Sequence, residues 1–214
     1  KIDVNLARFL GYIISEGRLT KNDQIWFVNE DQDVVRDFVS SAYSAFGLEA
    51  RIFNYKKCAK DVLIFSHVLC KFLEKAFDFG IGSRSRDKKV PPQIFAAGDE
   101  AIRAFLSALF EGDGDLSLER RGSKLPYFEY ATASKDLAQG VASLLLRLGV
   151  ISLIREKKKA AVNTCLKKKR IYYSVYIYGI DNVKRLASLL HFVGKKAEKL
   201  EKIKALEYKT NLNL

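Results

Sequence analysis

The chain has 214 residues, 48% hydrophobic and 12% aromatic, which is enough to bury a core and excludes global disorder. Lys and Arg number 37 against 25 Asp and Glu, and the formal charge of +12 points to a polyanionic partner. Three scattered cysteines, Cys58, Cys70 and Cys165, exclude a disulfide framework and a zinc site, and no apolar run reaches the roughly 18 residues of a membrane span. With no secretory signal, a cytoplasmic setting with reduced thiols is expected. The absence of Met predicts a trimmed piece, or a segment excised from a longer translation product.

In chain order, the first feature is an apolar helical run ending Phe9-Leu10-Gly11-Tyr12-Ile13-Ile14-Ser15-Glu16-Gly17. A strand-like run, Gln24 to Asn29, precedes a helix from about Gln32 to Phe46, capped by Asp31 and stopped by Gly47. Strands over about Ala50–Tyr55 and Val62–Phe65 and a helix over about Val68–Phe77 follow. Gly80 to Gly98 is rich in Gly, Ser and charge, contains Pro91-Pro92, and has the composition of a linker.

The pattern then starts again. A second apolar run, Leu106-Ser107-Ala108-Leu109-Phe110-Glu111-Gly112-Asp113-Gly114, also ends in an acid followed by Gly. Next come a strand over Tyr127–Thr132 and a helix over about Lys135–Leu148, capped by Ser134 and stopped by Gly149. Strands over about Ile151–Lys157 and Arg170–Tyr178 and a helix over about Asn182–Phe192 complete the copy. The tail carries Leu200, Ile203 and Leu206 on one helical stripe and is expected to pack back on the core. The expected fold is α+β: two pseudo-symmetric αββαββα halves, residues 1–80 and 99–214, joined by a linker over 81–98.

Both motif runs carry small residues one helical turn apart, Gly11 and Ser15 in one and Ala108 and Gly112 in the other. Such spacing lets two helix backbones approach closely. If the two runs pack on each other, Glu16 and Asp113 meet at one end of the contact. Two carboxylates there repel each other and the negative end of the helix dipole unless a hard divalent cation, Mg²⁺ above all, lies between them. No small-molecule cofactor is expected. His67 and His191 have no ligand partner at metal-binding spacing and read as structural.

These two runs resemble the paired motifs of single-chain LAGLIDADG homing endonucleases, intron- or intein-encoded and archaeal-like. The resemblance extends from about Asn5 to Tyr208 and includes Lys88-Lys89-Val90-Pro91 and Thr132-Ala133-Ser134-Lys135-Asp136-Leu137-Ala138. It implies two antiparallel sheets forming a saddle over double-stranded DNA, in a monomer with pseudo-two-fold symmetry. It also implies divalent cations at Glu16 and Asp113, with Gly17 and Gly114 beside them, and cleavage of both strands to leave short 3′ overhangs. Family members carry lysines near the site, which here selects Lys88-Lys89 and Lys195-Lys196 as candidates, one pair per half, with the choice within each pair left open. Family members also place a polar residue near the metal, at Asn29 and Glu30 here. The alternative is a non-cleaving relative, an RNA maturase or DNA-binding module.

Other basic residues cluster in strand regions. Arg155, Lys157, Lys158, Lys159, Lys167, Lys168, Lys169 and Arg170 are opposed by Glu156, and Lys56, Lys57 and Lys60 occupy the matching hairpin of the first half. Phosphate contacts from these runs would supply affinity. Arg120 and Arg121 are further candidate DNA contacts, with Gln24, Trp26, Arg51, Glu129 and Tyr172 as groove-facing candidates. Along Arg170–Tyr178, Ile171, Tyr173, Val175 and Ile177 are expected on a helix-packed face, and Tyr172, Ser174, Tyr176 and Tyr178 on a groove face.

Overall fold

The computed structural model describes residues 1–55, 59–82, 84–118, 125–160 and 169–207. In the first half α1 (Val4–Ser15) runs into β1 (Gly17–Leu19), followed by β2 (Gln24–Asn29), α2 (Gln32–Phe46), β3 (Arg51–Tyr55), β4 (Ala59–Phe65) and α3 (His67–Phe77). A short helix, α4 (Pro92–Phe95), leads into α5 (Asp99–Asp113) and β5 (Gly114–Ser117). The second half continues with β6 (Tyr127–Thr132), α6 (Lys135–Arg147), β7 (Leu153–Ala160), β8 (Lys169–Ile177), α7 (Ile180–Leu189) and α8 (Lys196–Lys204). The two sheets are antiparallel, four-stranded and identically ordered, β1-β2-β4-β3 and β5-β6-β8-β7. The repeat read from the sequence is therefore structural.

Local chemistry explains the boundaries. Asp31 caps α2 by accepting from the Asp33 amide at 3.0 Å, and Gly47 ends that helix in the left-handed region at φ 66°. Ser134 caps α6 by accepting from the Leu137 amide at 3.1 Å. Ile25 and Phe27 of β2, and Phe128 and Tyr130 of β6, are buried beneath helices while their strand neighbours stay half-exposed. Each sheet thus has one packed face and one open face. The first half centres on stacked Phe27 and Phe38, with ring centroids 4.2 Å apart.

The halves meet through α1 and α5. A Cβ on Gly11 would lie 2.4 Å from the Phe105 carbonyl oxygen, and one on Gly112 would lie 2.5 Å from Ser15 Oγ. Any side chain at either position would force the helices apart, so the small-residue stripe is a steric requirement of this contact.

Two expectations need correction and one needs completing. The αββαββα pattern requires a first strand in each half for which the sequence gives no span; β1 and β5 supply it as short edge strands beginning at the motif glycine. The last helix expected to reach Phe192 ends at Leu189. Leu190 turns extended (ψ 148°) because Ser107 Oγ and the Glu111 carboxylate accept the His191 and Val193 amides at 2.9 and 2.8 Å. On β8, Ser174 and Tyr176 are buried while Ile171 is exposed, because neighbouring side chains on the open face cover the two polar residues. The tail behaves as expected: α8 buries Leu200 and Ile203. The stretch between the halves is also packed, with Val90 and Ile94 buried.

Candidate functional site: the paired ends of the motif helices

Each motif helix ends at its acid. Glu16 is the C-terminal cap of α1, and Asp113 is the last residue of α5. Gly17 and Gly114 then turn the chain into β1 and β5; a Cβ would lie 2.6 Å from the Ile13 Cα or the Phe110 carbonyl oxygen. The role visible for these two glycines is to let the strand leave over the last helical turn. Because α1 and α5 pack on each other, the Asp113 charge is felt at Glu16, and Lys88 and Lys196 each act on both acids.

Both carboxylates are held above their ordinary pKa, chiefly by burial. Burial raises the Glu16 pKa, the Asn29 amide opposes that rise, and the Asp113 charge adds to it. Asp113 keeps solvent exposure, yet the protein around it pushes its pKa up to about 6, against the pull of Lys88 and Lys196. A pair of carboxylates held this way offers oxygen donors, the donor type a hard divalent cation takes. Among the described residues no cluster of three or more His, Cys, Asp or Glu surrounds them, so any further ligands would be backbone, water or a phosphate.

The structure discriminates within each lysine pair. Lys88 Nζ donates to the carbonyls of Ile14 and Ser15 at 2.5 and 3.0 Å. Lys196 Nζ donates to the carbonyls of Phe110, Glu111 and Gly112 at 2.9, 2.6 and 3.2 Å. Each ammonium therefore sits on the negative end of one motif helix. Burial lowers the pKa of both, and the nearby acids oppose that fall. Lys89 instead pairs with Asp78 at 2.6 Å on the surface, and the Lys195 side chain is exposed.

Asn29 donates its amide to Glu16 Oε2 and accepts from the Asp31 amide nitrogen at 2.7 Å. Its counterpart Thr132 accepts from the Ser134 amide at 3.1 Å. A polar residue here was anticipated, but its direct hold on Glu16 was not.

The open sheet faces carry most of the groove-facing candidates. Arg18, Trp26, Leu63 and Arg51 lie side by side across the first sheet, with Gln24 at the end of β2. Arg18 covers the Trp26 ring at 3.7 Å, and Trp26 Nε1 donates to Asp61 at 2.8 Å. Arg18 had no sequence signal beyond its charge. Lys60 falls on the opposite side of β4, in line with Val62 and Ile64, and bonds Asn54 at 2.5 Å, so it does not join this face.

In the second sheet Glu129, Arg155, Lys157, Arg170 and Tyr172 share the open face. Lys157 bonds both Glu129, at 3.1 Å, and the Tyr176 hydroxyl. Tyr176 and Tyr178 stack with centroids 5.1 Å apart. Lys159 and Lys169 are strand positions of β7 and β8 whose side chains lie outside the described residues. Lys56, Lys57, Arg120, Arg121, Lys167 and Lys168 also lie outside them.

Comparisons with known proteins place this geometry. Residues 100–191 match the family model of the LAGLIDADG-like domain. Among solved structures, a mesophilic variant of the homing endonuclease I-DmoI matches with TM-score 0.60 and 15% identity, over 93% of this chain and 97% of that one. I-DmoI in complex with DNA and Mn matches with TM-score 0.59 and 14% identity, over 89% and 98%. The N-terminal LAGLIDADG domain of DUF199/WhiA matches with TM-score 0.58 and 13% identity, over 95% and 88%. Among curated sequences, the chain is 32% identical over 86% of its length to a subunit of the A-type ATP synthase of Pyrococcus abyssi, covering 17% of that protein. It is 34% identical over 98% of its length to the replication factor C small subunit of Thermococcus kodakarensis, covering 22%. The chain thus spans about a fifth of the length of these relatives. Among the described residues no helix is long and apolar enough to cross a membrane. The matched stretch, residues 100–191, lies in the second half of the chain, and the first half repeats that half's sheet order across the α1–α5 contact.

Proposed function

We propose that the chain is a site-specific, divalent-metal-dependent endonuclease that cuts both strands of DNA. The observation that carries this reading is the convergence of Glu16, Asp113, Lys88 and Lys196 at the paired helix ends. In it, Glu16 and Asp113 hold the cation, and Asn29 orients Glu16. A bound divalent cation supplies Lewis acidity to the scissile phosphates and acidifies water. Lys88 and Lys196, fixed by helix carbonyls, place positive charge where phosphorane and leaving-oxygen charge develops. Arg155, Arg170 and the Arg18–Trp26–Arg51 row bind the duplex across the two open faces, one half-site per half of a monomer.

The relatives support a role in mobility. A segment of this size recurs inside a subunit of an ATP synthase and inside the small subunit of replication factor C, proteins of unlike work, and fills only a fraction of each. A self-contained unit with that distribution behaves as an insert, and cutting the uninterrupted gene is the activity that spreads one. The chain is accordingly read as the endonuclease of an intron or intein.

The test is a plasmid library of randomised sites incubated with the protein in Mg²⁺ or EDTA. Mg²⁺-dependent linearisation of a subset of plasmids is expected, with staggered ends at the cut. Glu16→Gln combined with Asp113→Asn should abolish cutting and leave DNA binding in place. Cutting by that double variant at the wild-type rate would overturn the assignment.

A further inference from the structure

The two lysines reach their helix ends on segments anchored in the opposite half. Lys88 follows the first half, yet its carbonyl accepts from Ser134 Oγ at 2.5 Å, and Ser134 is the N-cap of α6 in the second half. The same segment runs on along α6. Val90 fills the space above Gly140, where a Cβ would lie 2.7 Å from Val90 Cγ2, and Arg147 donates to the Phe95 and Ala97 carbonyls at 2.6 and 2.8 Å.

The other segment is its pseudo-symmetric counterpart. Lys195 and Lys196 follow the last motif element of the second half, yet the Lys195 amide donates to Asp31 Oδ2 at 2.7 Å, and Asp31 is the N-cap of α2 in the first half. Gly194 allows this approach, since a Cβ there would lie 2.6 Å from Asp31 Oδ2. Asp31 divides its work between its two oxygens: Oδ1 caps α2 and Oδ2 holds the lysine segment.

We propose that Asp31 and Ser134 are positioning residues that each hold the lysine serving the other half's motif helix: Asp31 sets Lys196 on the end of α5, and Ser134 sets Lys88 on the end of α1. Neither half can place its own lysine unless the other is docked against it. The arrangement ties the readiness of both strand-cutting centres to the assembly of the pair. On the Asp31 side the connection is continuous, because Asn29 joins Glu16 to the Asp31 backbone. The acid at one centre and the lysine at the other therefore share one hydrogen-bonded chain. The catalytic consequence rests on the endonuclease reading; the placement of the lysines does not.

Asp31→Asn separates the two jobs, because Asn caps a helix as well as Asp does but has one oxygen instead of two. The first measurement needs no activity. Reductive methylation of the full chain with formaldehyde and borohydride, read by mass spectrometry, should modify Lys88 and Lys196 slowly in the wild type. Asp31→Asn should speed Lys196 by about tenfold, the equivalent of one hydrogen bond, and leave Lys88 unchanged. Ser134→Ala should do the reverse, and Ser134→Thr, which keeps both bonds, should restore protection.

The second measurement uses a plasmid cut by the wild type in the library above, with each strand followed separately. Asp31→Asn should slow the same strand as Lys196→Ala and should add nothing to it in the double variant. Equal labelling of both lysines in every variant, or slowing of both strands alike, would overturn the proposal. Selective labelling with no plasmid cut by the wild type would instead overturn the endonuclease reading and leave the crosswise placement standing.

Discussion

The two motif helices end in the same way but are held differently. In the first half, α1 directs its polar residues toward α2: Arg8 and the Tyr12 hydroxyl both donate to Asp37, and Asn29 reaches across to Glu16. In the second half, α5 directs them toward the segment that follows α7, where Ser107 and Glu111 accept the His191 and Val193 amides. The positions equivalent to Ser107 and Glu111 are Leu10 and Ile14, both buried in the hydrophobic core. Pseudo-symmetry therefore holds for the backbone and for the acid-and-lysine arrangement, while the supporting contacts have diverged. On the endonuclease reading, the acids and lysines are constrained by what they jointly bind, while the supports need only hold them still.

The α1–α5 contact is where the comparison can be broken most severely. Gly11→Ala places a methyl 2.4 Å from the Phe105 carbonyl oxygen and 2.9 Å from the Ala108 side chain. Overpacking of this kind should cost about 1–3 kcal/mol, against a helix-propensity gain near 1 kcal/mol, and lower the thermal midpoint by several degrees. Ala108→Gly, its partner in the stripe, should cost only about 1 kcal/mol through propensity. A rise in the thermal midpoint of Gly11→Ala, which is what propensity alone would give, would show that the helices do not touch through this residue.

The support of the acids is the next place to look. Asn29→Thr copies the second half into the first by removing the amide that holds Glu16. Groups that orient a metal ligand are typically worth at least about tenfold in metal affinity, so Ca²⁺ binding by calorimetry should weaken by that factor. Thr132→Ala should leave Ca²⁺ affinity unchanged, because the Thr132 hydroxyl serves the Ser134 amide. Equal effects would mean that the two ends are supported alike after all.

The smallest effect concerns the open faces. Burial alone would raise the Glu129 pKa, but hydrogen bonds from Tyr176 and Lys157 and the Lys157 charge hold it below the ordinary carboxylate value. The unfolded chain then binds the proton more readily than the folded one. This contribution is present above the ordinary Glu pKa and is lost as pH falls through the lower folded value. Glu129→Gln should cost under about 1 kcal/mol near neutrality and nothing once the pH lies below both values. A difference in melting temperature that does not shrink at all as the pH is lowered would show that the charge is not what holds this network.

Much of the architecture was legible in the sequence. The bounds of β2, α2 and β6 match the expected runs, because alternating burial and strong caps at Asp31, Gly47 and Ser134 are local signals. The meeting of Glu16 and Asp113 followed from small residues one turn apart. The end of α7 was not legible, since the amides that stop it bond to Ser107 and Glu111, more than 80 positions earlier. The burial of Ser174 and Tyr176 escaped for the same reason, as strand periodicity reports the face of a residue but not its neighbours on adjacent strands.

What the amino-acid order alone determined is the repeat, the caps, the small-residue stripe and the acids that end each motif helix. The caps, the stripe and the acids depend on spacing within one element, and the repeat on the recurrence of that spacing along the chain. Tertiary structure alone decided which lysine of each pair meets a helix end, and that Asp31 and Ser134 have second partners. Lys88 and Lys89 are adjacent, equally basic and equally long. Only the packing of the 88–95 segment along α6 turns one toward the Ile14 and Ser15 carbonyls and leaves the other to pair with Asp78 in solvent.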